Sequence, residues 1–268
     1  NIYESKSILV PSKSSNGISG ALRSYSGLAG ISGLNLSSGV DDSNTDKAIK
    51  TLTSLSFFEN SILKNIFLPN LMAVQRWDVK TNQLIYDDSI YNTKSNSWVR
   101  NFSYPKKQVP SAQESYRVFK NQHLSVNEDK NSGFVTISVK HQSPYIAQKW
   151  AELVISEVNS YYREKDKFES EKAVSYLNQQ ISMTSLSEIK QVIAELLQEE
   201  TQKLTLIEAN QSYVFDYIDP PVVMEQKSEP KRSLICILFA FLGGVCSIIF
   251  VLTKHYFFSK NAALVFEE

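Results

Sequence analysis

The sequence predicts an α+β protein with three parts: a small membrane-proximal α/β base, a long protruding helical hairpin and one transmembrane helix. Three observations carry this reading. Between Pro144 and Pro220 there is no glycine or proline, so helix can run through most of that interval. Segments with strand-like alternation lie before and after it. Ser233 to Thr253 is a stretch of 21 residues without a charge, which at about 1.5 Å per residue spans about 31 Å, the thickness of a bilayer core.

In chain order, Ile2 to Lys13 carries Ile8, Leu9 and Val10 ahead of Pro11 and reads as a strand. Residues 17–39 hold six of the nine glycines but neither GxGxxG nor GxxxxGK[ST], so they read as a loop rather than a phosphate cradle. From Asp46, Ala48, Leu52 and Leu55 recur at helical spacing. Phe58, Ile62, Leu63 and Ile66 do the same until Pro69, giving two short amphipathic helices. A strand is expected near Leu84 to Asp87. Ser111 and Glu114 form a capping-box pattern behind Pro110, with Tyr116 and Phe119 on the buried side of the helix they start. Val135, Ile137 and Val139 alternate with Thr136, Ser138 and Lys140, a half-buried strand hairpinned with Leu124 to Asn127 across the Asn131-Ser132-Gly133 turn.

Ser143-Pro144 supplies a helix start. The apolar stripe that follows runs through Ile146, Trp150, Val154, Val158, Tyr161 and Phe168, then Val174, Leu177 and Ile181. Residues 163–172 are nearly all charged, so this part should stand in water or against another subunit. A break at 183–187, with Ser187 as the new cap, leads to a second stripe at Ile189, Ile193, Leu196, Leu197, Leu204 and Ile207. Ser212 to Asp219 alternates like a strand and should return to the first sheet. The expected divisions are 1–142 base, 143–211 hairpin, 212–232 return strand and proline-containing linker, 233–253 membrane helix and 254–268 tail.

Lys and Arg total 28 and Asp and Glu total 28. A neutral body has no cationic excess for phosphates, which argues against a nucleic-acid partner. Both cysteines, Cys236 and Cys246, fall in the apolar segment, so a disulfide scaffold or cysteine-based zinc site in the body is excluded. The three histidines lie far apart, and no HExxH or GxSxG occurs. We therefore expect no catalytic residues, no cofactor and no metal; a membrane-anchored glycan enzyme would need acidic or metal groups the sequence does not display.

Local charge is uneven. Residues 94–120 carry Lys94, Arg100, Lys106, Lys107, Arg117 and Lys120 against Glu114, interleaved with Trp98, Phe102, Tyr104 and Tyr116; residues 144–212 carry 7 basic and 11 acidic groups. A basic, aromatic surface suits a sugar chain or lipid-linked phosphate, and equally a solvated face or a neighbouring subunit's acidic helices. Lys106, Lys107, Arg117, Trp98, Tyr161, Phe168 and Leu177 are accordingly the candidate oligomer or glycan contacts. Ala240, Gly243 and Gly244 are small residues in the apolar segment at spacings that let membrane helices approach. Lys227, Lys231 and Arg232 on one flank nearly balance Lys254 and Lys260 on the other. Two topologies thus stay open: a cytosolic coiled-coil adaptor with a tail anchor, or an exported body. The start at Asn1, without a leader, leads us to expect a further membrane helix upstream.

Taken in order, the runs SILVPS, SGLAGISGLNL, AIKTLTSLSFFENSIL, LIYDDSIYN with Trp98, GFVTISVKHQSP, YLNQQI and YVFDYIDPP with PKRS resemble the Wzz family of polysaccharide chain-length determinants, or polysaccharide co-polymerases. The resemblance implies a bacterial inner-membrane protein with two membrane helices, both ends cytoplasmic and a periplasmic body. It further implies a closed homo-oligomeric ring, acting with the Wzy polymerase and a lipid-linked glycan to set the length of O-antigen or a related glycan in lipopolysaccharide biosynthesis, without catalytic residues of its own.

Overall fold

The computed structural model describes residues 1–12 and 40–263, with side chains over 1–12, 45–231 and 236–253; the glycine-rich loop expected at 17–39 lies outside them. Two compact units emerge, one covering Ile2–Gln226 and the other Lys227–Glu268.

In the first unit, strand β1 (Tyr3–Pro11) starts the chain and helix α1 (Val40–Leu52) follows. The second expected helix is a run of turns instead: a single α-turn, α2 (Leu55–Phe57), a π-turn (Phe58–Ile62) and a 3-10 turn (Leu63–Asn65). Phe58, Ile62 and Ile66 reach the core at the expected helical spacing, and Phe57, just before the change in pitch, is buried beside them. Then come α3 (Leu68–Met72), the hairpin β2 (Val74–Asp78) with β3 (Gln83–Tyr86), and the short pair β4 (Tyr91–Asn92) and β5 (Ser97–Trp98). Helix α4 (Ala112–Val118) begins at the expected capping box, with both reciprocal bonds between Ser111 and Glu114 in place, and ends in a π-turn (Phe119–His123) that buries Phe119.

Strands β6 (Leu124–Asp129) and β7 (Phe134–His141) form the expected hairpin, closed where Gly133 adopts φ +70°, a conformation open to glycine at little cost. Helix α5 (Pro144–Met183) is followed by α6 (Ser187–Ala209), whose N-cap is Leu186 rather than Ser187, and by β8 (Phe215–Asp219). The four-stranded antiparallel sheet has the order β6-β7-β1-β8, so the last strand pairs with the first as expected.

One face of this sheet presents Leu9, Val135, Ile137, Val139 and Phe215, and the first four turns of α5 lie on it through Trp150, Ala151, Val154, Ile155 and Val158. The helical turns at 55–65 and Phe119 complete that layer. The named side chains are all at most 3% exposed, and the core is a two-layer sandwich of sheet and helices.

The first 16 residues of α5 supply its buried contacts to that core, and Tyr162 packs at its edge. Beyond Asn159, Ser170 is the one buried residue of α5, and the remaining turns pack against α6, where Ile193 and Ile207 are buried. The charged 163–172 stretch is therefore partly an interhelical seam: Lys167 pairs with Glu208 on α6. At about 1.5 Å per residue α5 is about 60 Å long and α6 about 35 Å.

The chain returns through a polar latch. Asn159, 6% exposed, accepts hydrogen bonds at Oδ1 from the N–H groups of Val214 (2.8 Å) and Phe215 (2.9 Å), and its Nδ2 donates to the Phe215 carbonyl (3.0 Å). Ser12 N–H donates to the Val214 carbonyl at 2.8 Å. The buried Ser7 and Ser5 hydroxyls donate to the carbonyls of Asp219 and Val222 at 2.7 and 2.8 Å. Tyr213 adds an O–H bond to Asp166 Oδ2 at 2.6 Å.

In the second unit, α7 (Arg232–Ala263) contains the apolar span Cys236–Thr253, of mean hydropathy 2.6. The helix runs ten residues past the expected end at Thr253, in keeping with the lack of glycine or proline from Lys254 to Ala263. Gly243 and Gly244 meet no atom within 4 Å of an added Cβ.

Asn159→Ala removes three hydrogen bonds and strands two buried N–H groups and a carbonyl, so it should destabilise the body by about 3 kcal/mol or more. Urea unfolding followed by circular dichroism tests this; an unchanged midpoint would contradict the latch.

Candidate functional site

The basic and aromatic region expected at 94–120 is an anchored loop. Arg100 leaves β5 after one residue and turns inward, where its guanidinium meets Glu114 at 2.8 and 3.2 Å in a forked pair. Its Nε and Nη2 also donate to the carbonyls of Gln108 (2.9 Å) and Lys107 (2.6 Å), so one side chain holds both ends of the 101–108 loop. Gln108 Nε2 donates to the Trp98 carbonyl at 2.6 Å. Glu114 thereby serves two purposes, capping α4 and receiving Arg100. The Arg100 hydrogen bonds hold its carboxyl below the ordinary range, against a smaller opposing effect of burial.

Trp98 is half-buried and lies edge-on to Tyr91 at 5.2 Å, so its ring is a structural prop. Lys106 is exposed and stands 3.8 Å from Glu114 Oε1; Lys107 and Arg117 are exposed. Outward from the anchor the loop presents Phe102, Val109 and Tyr104, the last 95% exposed. Arg100 is thus taken out of the cationic surface, leaving Lys106 and Lys107 among exposed apolar side chains.

Of the other candidates, Tyr161, Phe168 and Leu177 lie on α5 and Ala240, Gly243 and Gly244 on α7, away from that loop in sequence. Tyr161 is edge-on to Phe57 at 6.0 Å with half its surface outward, and Phe168 is exposed with Lys172 Nζ 4.1 Å above its ring. Leu177 is half-buried. Ala240, Gly243 and Gly244 are exposed on α7. The structure therefore brings together Lys106 with the Arg100–Glu114 anchor, and does not gather the candidate residues into one pocket.

Sequence spacing gave no hint of the two buried histidines, which the fold places side by side although 18 residues separate them. His123 and His141 have ring centroids 5.7 Å apart, and both lie edge-on to Trp150, at 5.4 and 4.9 Å. His141 Nε2 donates to the Asn70 carbonyl (3.0 Å) while its Nδ1 accepts from Ser143 N–H (2.9 Å); His123 Nδ1 donates to the Lys140 carbonyl (2.7 Å). His141, donating at Nε2 and accepting at Nδ1, is thereby held as a neutral tautomer. Burial lowers both pKa values, that of His141 to about 4. Among the described residues no group of three His, Cys, Asp or Glu side chains is placed to hold a metal ion. The pair ties the β6–β7 hairpin to α3 and the start of α5.

No protein-family model matches the chain, and no curated protein matches it. Among solved structures, the chain is similar to a fragment of WzzB, a polysaccharide co-polymerase from Salmonella Typhimurium, at 13% identity over 86% of this chain and 100% of that one, with a TM-score of 0.36. It is also similar to a full-length bacterial polysaccharide co-polymerase, at 13% identity over 99% of this chain and 88% of that one, with a TM-score of 0.30. Both matches extend over most of the chain at low sequence identity.

Because the folded-state pKa values of both histidines lie below the unfolded value near 6.5, the unfolded chain binds more protons below about pH 6.5, for His141 down to about pH 4. Stability should be full above that window and fall through it on acidification, by up to about 1.4 kcal/mol per pH unit for each histidine. Thermal midpoints recorded from pH 7 to pH 5 should show this slope, and His141→Gln should flatten it; equal slopes in the two proteins would refute the assignment.

Proposed function

We propose that this protein is a non-enzymatic regulator of bacterial surface polysaccharide chain length. In this reading it is anchored in the inner membrane by α7, carries its body in the periplasm, and works as a closed homo-oligomer beside a Wzy-type polymerase and its lipid-linked glycan. Two features support the proposal: the ordered sequence runs that resemble chain-length determinants, and the exposed apolar surface of the hairpin.

The hairpin surface carries the reading. Met183, Leu186, Ile189, Val192 and Leu196 are 44–68% exposed at the turn and the start of α6. Ile189, Val192 and Leu196, spaced three and four apart, share one helix face, while Ile193 beside them is buried against α5. Soluble monomers rarely leave such a contiguous apolar row open. A second copy of the same hairpin would cover it, and the mixed charges of α5 and α6 would set the pairing.

Loss of the gene should broaden the ladder of surface glycan lengths without stopping synthesis; an unchanged ladder in a strain lacking a paralogue would refute the function. Val192→Asp with Leu196→Asp should leave monomer stability within about 0.5 kcal/mol, since both positions are exposed. The same double variant should reduce oligomer size by cross-linking and shift the glycan mode. Smaller oligomers with an unchanged mode would disconnect assembly from length control.

A further inference from the structure

The β2–β3 hairpin, α3 and the first turn of α5 surround an open groove of about 460 Å³, within the size range of small-molecule sites. Its walls include the rings of Phe67, Trp77, Tyr86 and Tyr145, together with Asn70, Asn82, Gln83 and Ser143, and no ionisable carboxylate, amine, guanidinium or imidazole. The rings are braced. Trp77 stands edge-on to Tyr3 at 5.4 Å and to Tyr145 at 6.2 Å. Its Nε1 donates to Asn82 Oδ1 at 3.0 Å, and Tyr86 Oη donates to Asn70 Oδ1 at 2.7 Å.

Those two bonds occupy the oxygen of each amide and leave the NH₂ groups of Asn70 and Asn82 for a ligand. Gln83 is exposed at the end of β3. Ser143 is the most telling residue: it stands at the N-cap of α5, only 3% exposed, yet its hydroxyl makes no capping bond. A serine in that position ordinarily caps the helix.

The lining selects a ligand chemistry. A charged ligand would lose hydration with no counter-charge in the walls. A purely apolar one would cover the amide and hydroxyl groups without satisfying them. A neutral polyhydroxylated molecule meets both demands, because its C–H faces can lie on the electron-rich ring faces while its hydroxyls exchange hydrogen bonds with the amides. We propose that this groove binds a neutral carbohydrate segment. This gives the glycan a seat on the body that is separate from the Lys106–Lys107 loop, and it rests on the chain-length reading only for which glycan is met in the cell.

The test uses the full chain in lipid nanodiscs, titrated with neutral hexasaccharides of glucose, galactose, mannose and rhamnose, and with an oligogalacturonate as the charged probe. Binding is read by saturation-transfer NMR and calorimetry. At least one neutral probe should bind saturably and more tightly than the charged one. Gln83→Ala and Tyr145→Ala, both at exposed positions, should each weaken it by about tenfold or more with unchanged thermal midpoints. Absence of saturable binding by every neutral probe, or equal affinity in the variants, would overturn the proposal. A Gln83→Ala strain that loses binding but keeps its glycan ladder would uphold the groove and count against its part in length control.

Discussion

The grip of Asn159 on Val214 and Phe215 is the constraint on which the rest of the body depends. The chain leaves the sheet after β7, runs out and back through α5 and α6, and must then deliver β8 to the far side of β1. A slip of one residue in β8 would turn Phe215 from the core to solvent, so the apolar face selects the register. The Asn159 carboxamide, with two backbone donors on its oxygen and a backbone acceptor on its nitrogen, then pins the start of that strand to α5. Because the site is buried, it also penalises any arrangement that leaves those groups unmatched.

Around that latch the polar groups on the core face form one system. Ser5 and Ser7 stand on the same face of β1 as Leu9, where branched apolar residues would be expected, yet each binds a carbonyl of the returning chain. At the opposite end of the sheet, the histidine pair performs the matching task, joining β6, β7, α3 and the start of α5 through imidazoles packed on Trp150. The sheet is thus fastened to its helices at both ends by polar groups and along its middle by apolar packing.

Much of this fold was legible in the sequence. The period-2 run at Val135, Ile137 and Val139, the capping box at Ser111 and Glu114, Ser143-Pro144 and the long absence of glycine and proline each reflect a local rule, and local rules survive in the structure. The π-turns at Phe58–Ile62 and Phe119–His123 were not legible: Phe58, Ile62 and Ile66 keep the spacing of a regular helix. Asn159 left a faint signal as the one amide on an otherwise apolar face with Ala151 and Ile155. The histidines left none, since their proximity is created by strand pairing. Residue types alone also misplace a group: charge counting put Arg100 on an open cationic surface, whereas Glu114 draws it inward. The groove of Trp77 and Tyr145 joins residues 68 positions apart and belongs to no sequence run.

The position of Asn159 has a further consequence. It lies 16 residues into α5, and everything from there to Tyr213 is an excursion that begins and ends at a single hydrogen-bonded station. The core takes only Ile207 and the edge of Tyr162 from that excursion, both within six residues of its ends, so the length beyond them is free of the core. Turns added to or removed from both arms in matched steps, such as seven residues each, would keep the facing stripes in phase while the sheet and its latch stayed as they are. The reach of the hairpin is therefore an evolutionary variable separable from foldability, and a lineage could tune it without renegotiating the body.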